Sequence, residues 1–490
     1  MNDIVERWKN YTIYVPYIIG FYRWLMFIAM KFLPALFYKQ MEALPASDDP
    51  KNPVEPMTNR DVTVVVAVYQ PPEGFYDTIR SIYENKPFEI LIVADITCVE
   101  ETTQICSVFD QNVVKIIPEE KPGKRAALVT GIKNSKTKLT CLVDDDIIWC
   151  PTVIENMVIP FQHPIIGGVG IRQNAYIRTR WDVFDIMNNM RLAVRYLEIK
   201  ATTVMDKGCV CISGRTACYR TSVVQCDDMY KKFLGEKFLC LSVLSGDDKF
   251  LTRYVINRGY KSYHQLLHNC ELSTPFEKGE RLFRQFIRWS RNTWRSDFNA
   301  MFIERRIWTN NFFTACVMFD KIFVPFFMLY GLVYTVVLCL THRSFIRIPG
   351  FPSGNESWRA TFDWQLFIAY VVWQFFSRGI KLYYYIWEFP HHILYIPLFL
   401  LFQYAQALIR IYALLTLYER GWGTRKIEVK GNEIVRSLEV PKLPQAAATQ
   451  STPPTQQVIS MNDNAAAPDA PLYYAERATP LDARGVHIDV

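Results

Sequence analysis

Two acidic clusters in the chain have residue types and a spacing that could carry out chemistry. Asp144, Asp145 and Asp146 follow the apolar run 139–143. Carboxylates at the end of a buried strand are costly unless they bind a partner. In an alternating D-x-D pattern, Asp144 and Asp146 predict a site for one divalent cation, Mn²⁺ or Mg²⁺, that bridges a substrate diphosphate. The alternative is an acidic turn that caps the next helix.

The second cluster, Asp247-Asp248, follows Ser245-Gly246. One of its carboxylates is suited to act as a general base. Transfer of an activated sugar to a hydroxyl with inversion needs a group that removes the hydroxyl proton, and a positioned base contributes about 10²- to 10⁴-fold in rate. The alternative is that Asp247 caps the following helix, and two aspartates allow one role each.

A third motif combines a cation with an amide and an indole. Read as a helix, the stretch 284–289 places Gln285, Arg288 and Trp289 on one face, which is suited to holding a sugar. The alternative is an interfacial helix on anionic headgroups, because arginines recur at helical spacing. These arginines are Arg281, Arg284, Arg288, Arg291 and Arg295. We expect Arg288 to bind the diphosphate and Arg281, Arg291 and Arg295 to bind membrane headgroups.

Positive charge and a single aspartate complete the candidate site. Lys121-Pro-Gly-Lys-Arg, which ends at Arg125, is suited to a diphosphate or a nucleotide base, and its alternative is a solvated loop. Asp95 is suited to accept hydrogen bonds from a ribose or a uracil, and its alternative is a helix cap.

Four β-branched apolar runs predict the elements that position these residues. They cover residues 62–68, 89–95, 113–117 and 139–146 and alternate with helical patterns, one of them beginning near Lys124. This alternation predicts a buried parallel sheet with helices on both faces, and ligands bind beyond the carboxyl ends of such strands. Polar residues follow each run, so we expect four strand ends to converge on one site. These residues are Tyr69, Gln70, Asp95, 121–125 and 144–146.

Composition indicates a membrane protein. Half of the 490 residues are hydrophobic, and the net charge of +7 is modest, which argues against a nucleic-acid partner and in favour of a lipid bilayer. The 12 cysteines show neither a zinc spacing nor a disulfide framework, so we expect reduced thiols.

Apolar segments predict an N-terminal anchor and a C-terminal membrane region. The first run, 12–37, contains Arg23, a costly charge in hydrocarbon that either snorkels or faces a polar pathway. Spans are expected at 322–340 and 364–385, with a sequon at Asn355 between them. The third run, 393–417, contains Pro397.

The predicted organisation has six parts. They are an anchor at 1–40, a linker at 41–60, a catalytic domain at 61–280, amphipathic interface helices at 281–312, a membrane region at 313–425 and a largely disordered tail at 426–490, most clearly from Pro441 onwards.

In the order of its motifs, the chain resembles processive, membrane-integrated family 2 glycosyltransferases. Hyaluronan synthases are one such group, and within the family the chain is most similar to fungal type 2 glycosyltransferases, relatives linked with hyphal growth and surface polysaccharide. The motifs are Asp95, Gly123-Lys124-Arg125, Asp144-x-Asp146, Gly246-Asp247-Asp248, Gln285-x-x-Arg288-Trp289 and Trp422-Gly423-Thr424-Arg425.

The resemblance implies an α/β fold of the GT-A (Rossmann-like) type on the cytosolic face of the plasma membrane. It implies a UDP-sugar donor, Mn²⁺ or Mg²⁺, and a growing β-linked polysaccharide that leaves through a channel made by the chain's own helices. By the same resemblance, the nucleotide is held by Tyr69, Asp95, Lys124, Arg125 and Asp144, the metal by Asp144 and Asp146, and the reaction is carried by Asp248, Gln285, Arg288 and Trp289. The alternatives are an enzyme of this architecture that makes short or lipid-linked sugars, and a non-catalytic scaffold. The oligomeric state is left open.

Two features depart from the pattern of the family. Arg215 in Ser213-Gly214-Arg215 lies in a stretch near the acceptor, where an arginine is unexpected. The number of membrane crossings decides on which side the motif Trp422–Arg425 lies. If the catalytic domain is cytosolic, two C-terminal spans return the chain to the cytosol, and a third full span would place Trp422–Arg425 on the outer side, away from the site. We therefore expect 393–417 to be re-entrant, to break at Pro397, or to lie along the membrane.

Overall fold

The protein is described here from a computed structural model, which covers residues 14–47, 49, 54–176, 181–341 and 363–419 and two short strands after them. The Asn355 sequon, the motif Trp422–Arg425 and the tail from Pro441 lie outside the described residues.

Strands β1 to β11 build the domain that carries the predicted site, called the sheet domain here. Nine of the described strands form one sheet in the order β3-β2-β1-β4-β7-β6-β11-β5, with β10 also paired to β6. Two hairpins, β8–β9 and β12–β13, lie apart from it. The strands are β1 Val62–Val68, β2 Glu89–Asp95, β3 Val114–Glu119, β4 Leu139–Val143, β5 Ile148–Trp149, β6 Ile166–Ala175, β7 Thr216–Arg220, β8 Lys237–Phe238, β9 Leu241–Ser242, β10 Lys261–Gln265, β11 Glu271–Thr274, β12 Ile427–Lys430 and β13 Glu433–Arg436.

The four predicted strands are adjacent and parallel. In the centre of the sheet, Val66 of β1 lies between Ile92 of β2 and Val143 of β4. Strand β2 pairs in turn with β3 in parallel, whereas β7 is antiparallel to both β4 and β6. The predicted α/β, Rossmann-like fold is confirmed, with a mixed second half of the sheet.

Sixteen described α-helices surround the sheet and form the membrane region. They are α1 Val15–Phe27, α2 Leu33–Leu36, α3 Phe75–Glu84, α4 Val99–Cys106, α5 Lys124–Asn134, α6 Val153–Met157, α7 Val183–Asp206, α8 Thr221–Val224, α9 Asp227–Leu234, α10 Asp247–Asn257, α11 Gly279–Phe298, α12 Arg306–Asn310, α13 Phe312–Leu340, α14 Trp364–Gly379, α15 Tyr383–Glu388 and α16 Ile396–Leu415.

Alternate residues of β1 face two hydrophobic layers. Val64 packs with Ile79 of α3 on one face of the sheet, whereas Val65 packs with Leu128 of α5 on the other. A Cβ on Gly131 would lie 2.2 Å from Val65 Cγ1, so glycine is needed for α5 to approach the strand closely. This approach places the first turn of α5 beside the carboxyl end of β1.

Among the described residues, three helical segments are long and apolar enough to cross a membrane: Val15–Leu36, Phe312–Leu340 and Pro390–Leu415. The costly charge in the first is compensated, because Arg23 donates to Asp320 of α13 at 2.6 Å and its guanidinium lies 4.5 Å from the Phe327 ring. The predicted span at 364–385 is shorter than expected, since α14 ends at Gly379.

The third apolar run forms a continuous helix, so the predicted break at Pro397 is wrong. Pro397 lies in the first turn of α16, where a missing N–H leaves no helical hydrogen bond unmade. Its first half packs through aromatic side chains, since Phe399 contacts Ile186 of α7 and Phe402 lies 5.8 Å from Phe286 of α11. Its second half is bonded to α11 and α13 through Arg410. The helix is also long and apolar enough to cross a membrane, so its orientation in the bilayer stays a prediction.

Candidate active site

A cavity of about 740 Å³ begins at the carboxyl ends of β1 to β4 and extends between α7 and α11 to the membrane helices. The predicted convergence of four strand ends is therefore confirmed. The lining residues at these ends are Tyr69, Asp95, Lys121, Lys124, Asp144, Asp145 and Asp146.

The Asp144–Asp146 cluster is suited to a cation. Burial and the neighbouring carboxylates of Asp144 and Asp145 raise the pKa of Asp146 to about 7. The described residues contain no group of three or more metal-binding side chains. Mg²⁺ is usually held by one or two carboxylates together with substrate phosphates and water, so the pair Asp144 and Asp146 fits such an ion.

Lys124 links the two acidic clusters. Its ammonium group, on the first residue of α5, donates to Asp144 and lies 3.3 Å from Asp247 Oδ2. Burial acts to raise the pKa of Asp247, but the charges of Lys124 and Arg125 outweigh it, and the net pKa is lowered. Asp247 is thereby kept anionic beside the strand ends.

Arg125 does not face the cavity, which revises its predicted contact with a nucleotide. Its guanidinium is buried, donates to the backbone oxygens of Phe233 and Ser245, and forms an ion pair with Glu236 at 2.6 Å. Arg125 therefore stabilises the loop before α10 by hydrogen bonds in the core of the sheet domain, away from the cavity.

Asp95 lines the cavity and also caps a turn. Its Oδ1 accepts from the N–H of Thr97 at 3.0 Å and from the Thr97 hydroxyl at 2.7 Å. The helix-cap alternative is thus correct for this oxygen, and the same carboxylate is held in a fixed orientation at the end of β2.

Asp248 lies in the first turn of α10, after Gly246, whose φ of 81° suits glycine. Its Oδ1 accepts from the N–H of Lys249 at 2.8 Å, and its Oδ2 accepts from the Cys211 thiol at 3.2 Å. A Cβ on Gly214 would lie 3.3 Å from Asp248 Cβ, so the loop before β7 packs directly against the candidate base. Only the tertiary structure reveals the contact with Cys211.

The predicted face of α11 is present. Gln285, Arg288 and Trp289 all line the cavity, and Gln285 Oε1 is buried without a hydrogen-bond partner among the described residues. The Trp289 ring is held by the Phe276 ring at 6.2 Å and the Phe286 ring at 5.7 Å. An immobilised indole on a cavity wall is suited to stacking against a sugar ring.

Two arginines of the same helix contradict the expectation that they bind lipid headgroups. Arg291 donates to the Thr416 hydroxyl at 2.9 Å, and Arg295 donates to the backbone oxygen of Leu417 at 2.7 Å. Both therefore bind the C-terminal end of α16. Arg281 is exposed, so its predicted contact with headgroups remains open.

Comparison with known proteins gives one family and several relatives. The sequence model of the family described as "Glycosyltransferase like family 2" matches residues 59–292. A type 2 glycosyltransferase of Zymoseptoria tritici is 27% identical over 394 residues, which is 80% of each chain. One of Pyricularia oryzae is 27% identical over 373 residues, 75% of this chain and 74% of that protein. Human hyaluronan synthase 3 is 28% identical over 204 residues, 40% of this chain and 35% of that protein. These matches confirm the resemblance that the motifs predict.

Proposed function

Because residues 59–292 form a glycosyltransferase family 2 domain, we propose that the protein is an inverting, metal-dependent, processive glycosyltransferase that uses a UDP-sugar. It polymerises a β-linked polysaccharide and exports it across the plasma membrane. One observation carries the proposal, namely the continuity of the cavity. It joins Asp144 and Asp248 to Met328 of α13 and Gln403 of α16.

The donor would bind at the strand ends. Tyr69 and Asp95 would hold the nucleoside and Lys124 the phosphates, while Asp144 and Asp146 would hold Mn²⁺ or Mg²⁺. When bound, such an ion supplies positive charge to the diphosphate as it leaves. Lys124 would have to exchange part of its contact with Asp144 and Asp247 for the phosphates.

Transfer follows from the placement of Asp248 and Trp289. An acceptor sugar stacked on Trp289 would present a hydroxyl whose proton passes to the Asp248 carboxylate. The hydroxyl oxygen forms a bond to the anomeric carbon of the donor, the bond from that carbon to UDP breaks, and UDP leaves with the electron pair. Arg288 and Gln285 would bind the diphosphate from α11.

A cytosolic position of the sheet domain agrees with the state of the thiols. All 12 cysteines are free, and most are buried, as expected in a reducing compartment. The growing polymer would then pass from the cytosolic domain into the space between the membrane helices.

The test uses purified full-length protein in detergent, screened for UDP release against UDP-sugars, singly and in pairs, with Mn²⁺ or Mg²⁺. A requirement for two donors would indicate an alternating polymer, and one donor a homopolymer. Sizing the product distinguishes a processive enzyme from one that makes short or lipid-linked sugars. No UDP release with any donor would overturn the proposal.

Asp248→Asn tests the assignment of the base. The variant should bind UDP as the wild type does and lose transfer by about 10²- to 10⁴-fold, because no group accepts the hydroxyl proton. Asp77→Asn, an exposed change on α3, is the control for loss of one carboxylate. Polymer synthesis by Asp248→Asn at the wild-type rate would remove Asp248 from this role.

A further inference from the structure

Three arginines form a cluster on the cavity wall beside Trp289. Arg191 and Arg195 belong to α7, and Arg215 lies in the loop before β7. The Arg215 guanidinium lies 4.3 Å from the centre of the Phe276 ring and 5.5 Å from the centre of the Trp289 ring. The Arg191 guanidinium lies 5.3 Å from the centre of the Trp289 ring. Two guanidinium groups of the cluster therefore lie over the aromatic ring on which a sugar would stack.

No carboxylate of the described residues lies within salt-bridge distance of these three arginines. Burial lowers the pKa of Arg215, and the more distant charges of Asp146 and Asp144 oppose this only in part. Arg195 donates instead to the backbone oxygen of Cys211 at 3.1 Å, and Arg191 Nε is buried without a hydrogen-bond partner in the described part of the chain. Burial and then the charges of Arg215 and Arg195 lower the pKa of Arg191 to about 9. Arginine stays charged in proteins, so gathering these cations costs free energy that an anionic ligand would offset.

Positive charge continues along the cavity towards the membrane. Arg378, Lys381 and Arg410 line that part without a carboxylate in salt-bridge distance among the described residues, and Arg410 donates to the backbone oxygen of Lys321. Lys31 and Lys321 also line this part of the cavity, but unlike the other three cations both form an ion pair with Glu198. The carboxylates of the cavity are concentrated at the strand ends, and the membrane side has an excess of cations.

We propose that Arg191, Arg195 and Arg215 bind an oxyanion, a carboxylate or a phosphate, carried by the acceptor whose sugar ring stacks on Trp289. This inference rests on the proposed function and adds to it the chemical class of the acceptor. A planar guanidinium matches both groups with two parallel hydrogen bonds. The donor diphosphate has other partners in the proposed arrangement, namely Lys124, Arg288 and the metal carboxylates. The oxyanion comes either from a uronic acid in the polymer or from a lipid phosphate.

The test compares acceptors of different charge. Binding to purified full-length protein is measured by calorimetry for a neutral oligosaccharide, a hexuronate-containing oligosaccharide of equal length and a polyprenyl phosphate, each with UDP present. UDP release from the donor that supports activity is measured with the same acceptors. The wild type should bind one of the anionic acceptors more tightly than the neutral one, and which of the two it binds identifies the source of the oxyanion.

Variants assign the preference to the cluster. Arg215→Gln should weaken binding of the anionic acceptor by about 10- to 100-fold, as expected for loss of a charged hydrogen bond, and leave UDP binding unchanged. Arg215→Lys keeps the charge but lacks the planar guanidinium, so its affinity for the anionic acceptor should lie between those of the wild type and Arg215→Gln. Arg258→Gln, an exposed change on the sheet domain, is the matched control. A thermal unfolding midpoint equal to that of the wild type reports that a variant is folded.

Three outcomes would overturn the inference. They are equal binding of neutral and anionic acceptors by the wild type, unchanged binding of the anionic acceptor by Arg215→Gln, and weakened UDP binding by Arg215→Gln, which would assign the residue to the donor. Absence of UDP release is a different result, because it contradicts the proposed function, whereas calorimetry still tests the oxyanion site.

Discussion

At the residue scale, the candidate base is held by two donors of different kinds. A backbone N–H fixes Asp248 Oδ1, and a thiol fixes Oδ2. Burial, followed by the charge of Asp248, raises the pKa of the Cys211 thiol well above its ordinary value. Cys211 therefore stays protonated at neutral pH and donates to Asp248 Oδ2, which holds the carboxylate in a fixed orientation.

Cys211→Ala should reduce kcat by about 3- to 10-fold, because a carboxylate oxygen loses a hydrogen-bond donor. The carboxylate also loses its fixed orientation in the cavity, so kcat should fall while the KM for the donor stays unchanged. Cys211→Ser retains a donor and is the control. A fall in kcat together with a rise in KM in Cys211→Ala, not restored in Cys211→Ser, would show that the contact has only a structural role.

The sequence predicts those site residues that belong to a short motif of adjacent residues. Asp144, Asp146 and Asp248 all line the cavity as expected. Arg125 does not, because successive residues of a helix point about 100° apart, so Lys124 faces the strand ends while Arg125 faces the core. Cys211 lies 37 positions from Asp248, and nothing local to it indicates that contact.

At the element scale, the strands were predictable and the membrane helices only partly so. A run of β-branched apolar residues such as β1 predicts a buried strand without knowledge of its tertiary contacts. The bounds of β1, Val62–Val68, agree with this pattern. The length and hydropathy of α16 are compatible with a span, yet neither reports what its two ends contact. Its direction depends on Arg291, Trp294 and Arg295 of α11, which bind residues 410–417.

The placement of α16 predicts that its C-terminal end lies on the cytosolic side. Tyr418, with a side chain that is 67% exposed, is replaced by cysteine and treated with a membrane-impermeant maleimide. Labelling should require permeabilised cells, because α11 holds this end of α16 beside the sheet domain. A cysteine at Thr341, at the end of α13, is the control expected to react in intact cells, and the exposed native Cys240 reports leakage. Labelling of Tyr418→Cys in intact cells would place this end of α16 on the outer side and contradict the prediction.

At the scale of the whole molecule, one cavity connects the carboxyl ends of strands β1 to β4 with the membrane helices. Helices from distant parts of the sequence close it: α7 and α11 from the middle of the chain, and α13 and α16 from the C-terminal region. An enzyme that releases a short product needs no such extension, whereas a polymer that stays bound between transfers would occupy it. The shape of the cavity thus bears on processivity.

Ala407→Trp tests whether the product occupies this extension. Ala407 lines the cavity from α16 and is buried, so an indole there would narrow the passage beyond Trp289. In the proposed function each transfer would take place at Asp248, away from the narrowing. The initial rate of UDP release should therefore change by less than about twofold, whereas product length should fall markedly. Leu408→Trp, one position further on the same helix with a side chain that is 57% exposed, is the control and should leave product length unchanged. Products of wild-type length from a folded Ala407→Trp variant would mean that the polymer leaves by another route, and a matched loss of UDP release would mean that the indole disturbs the catalytic end.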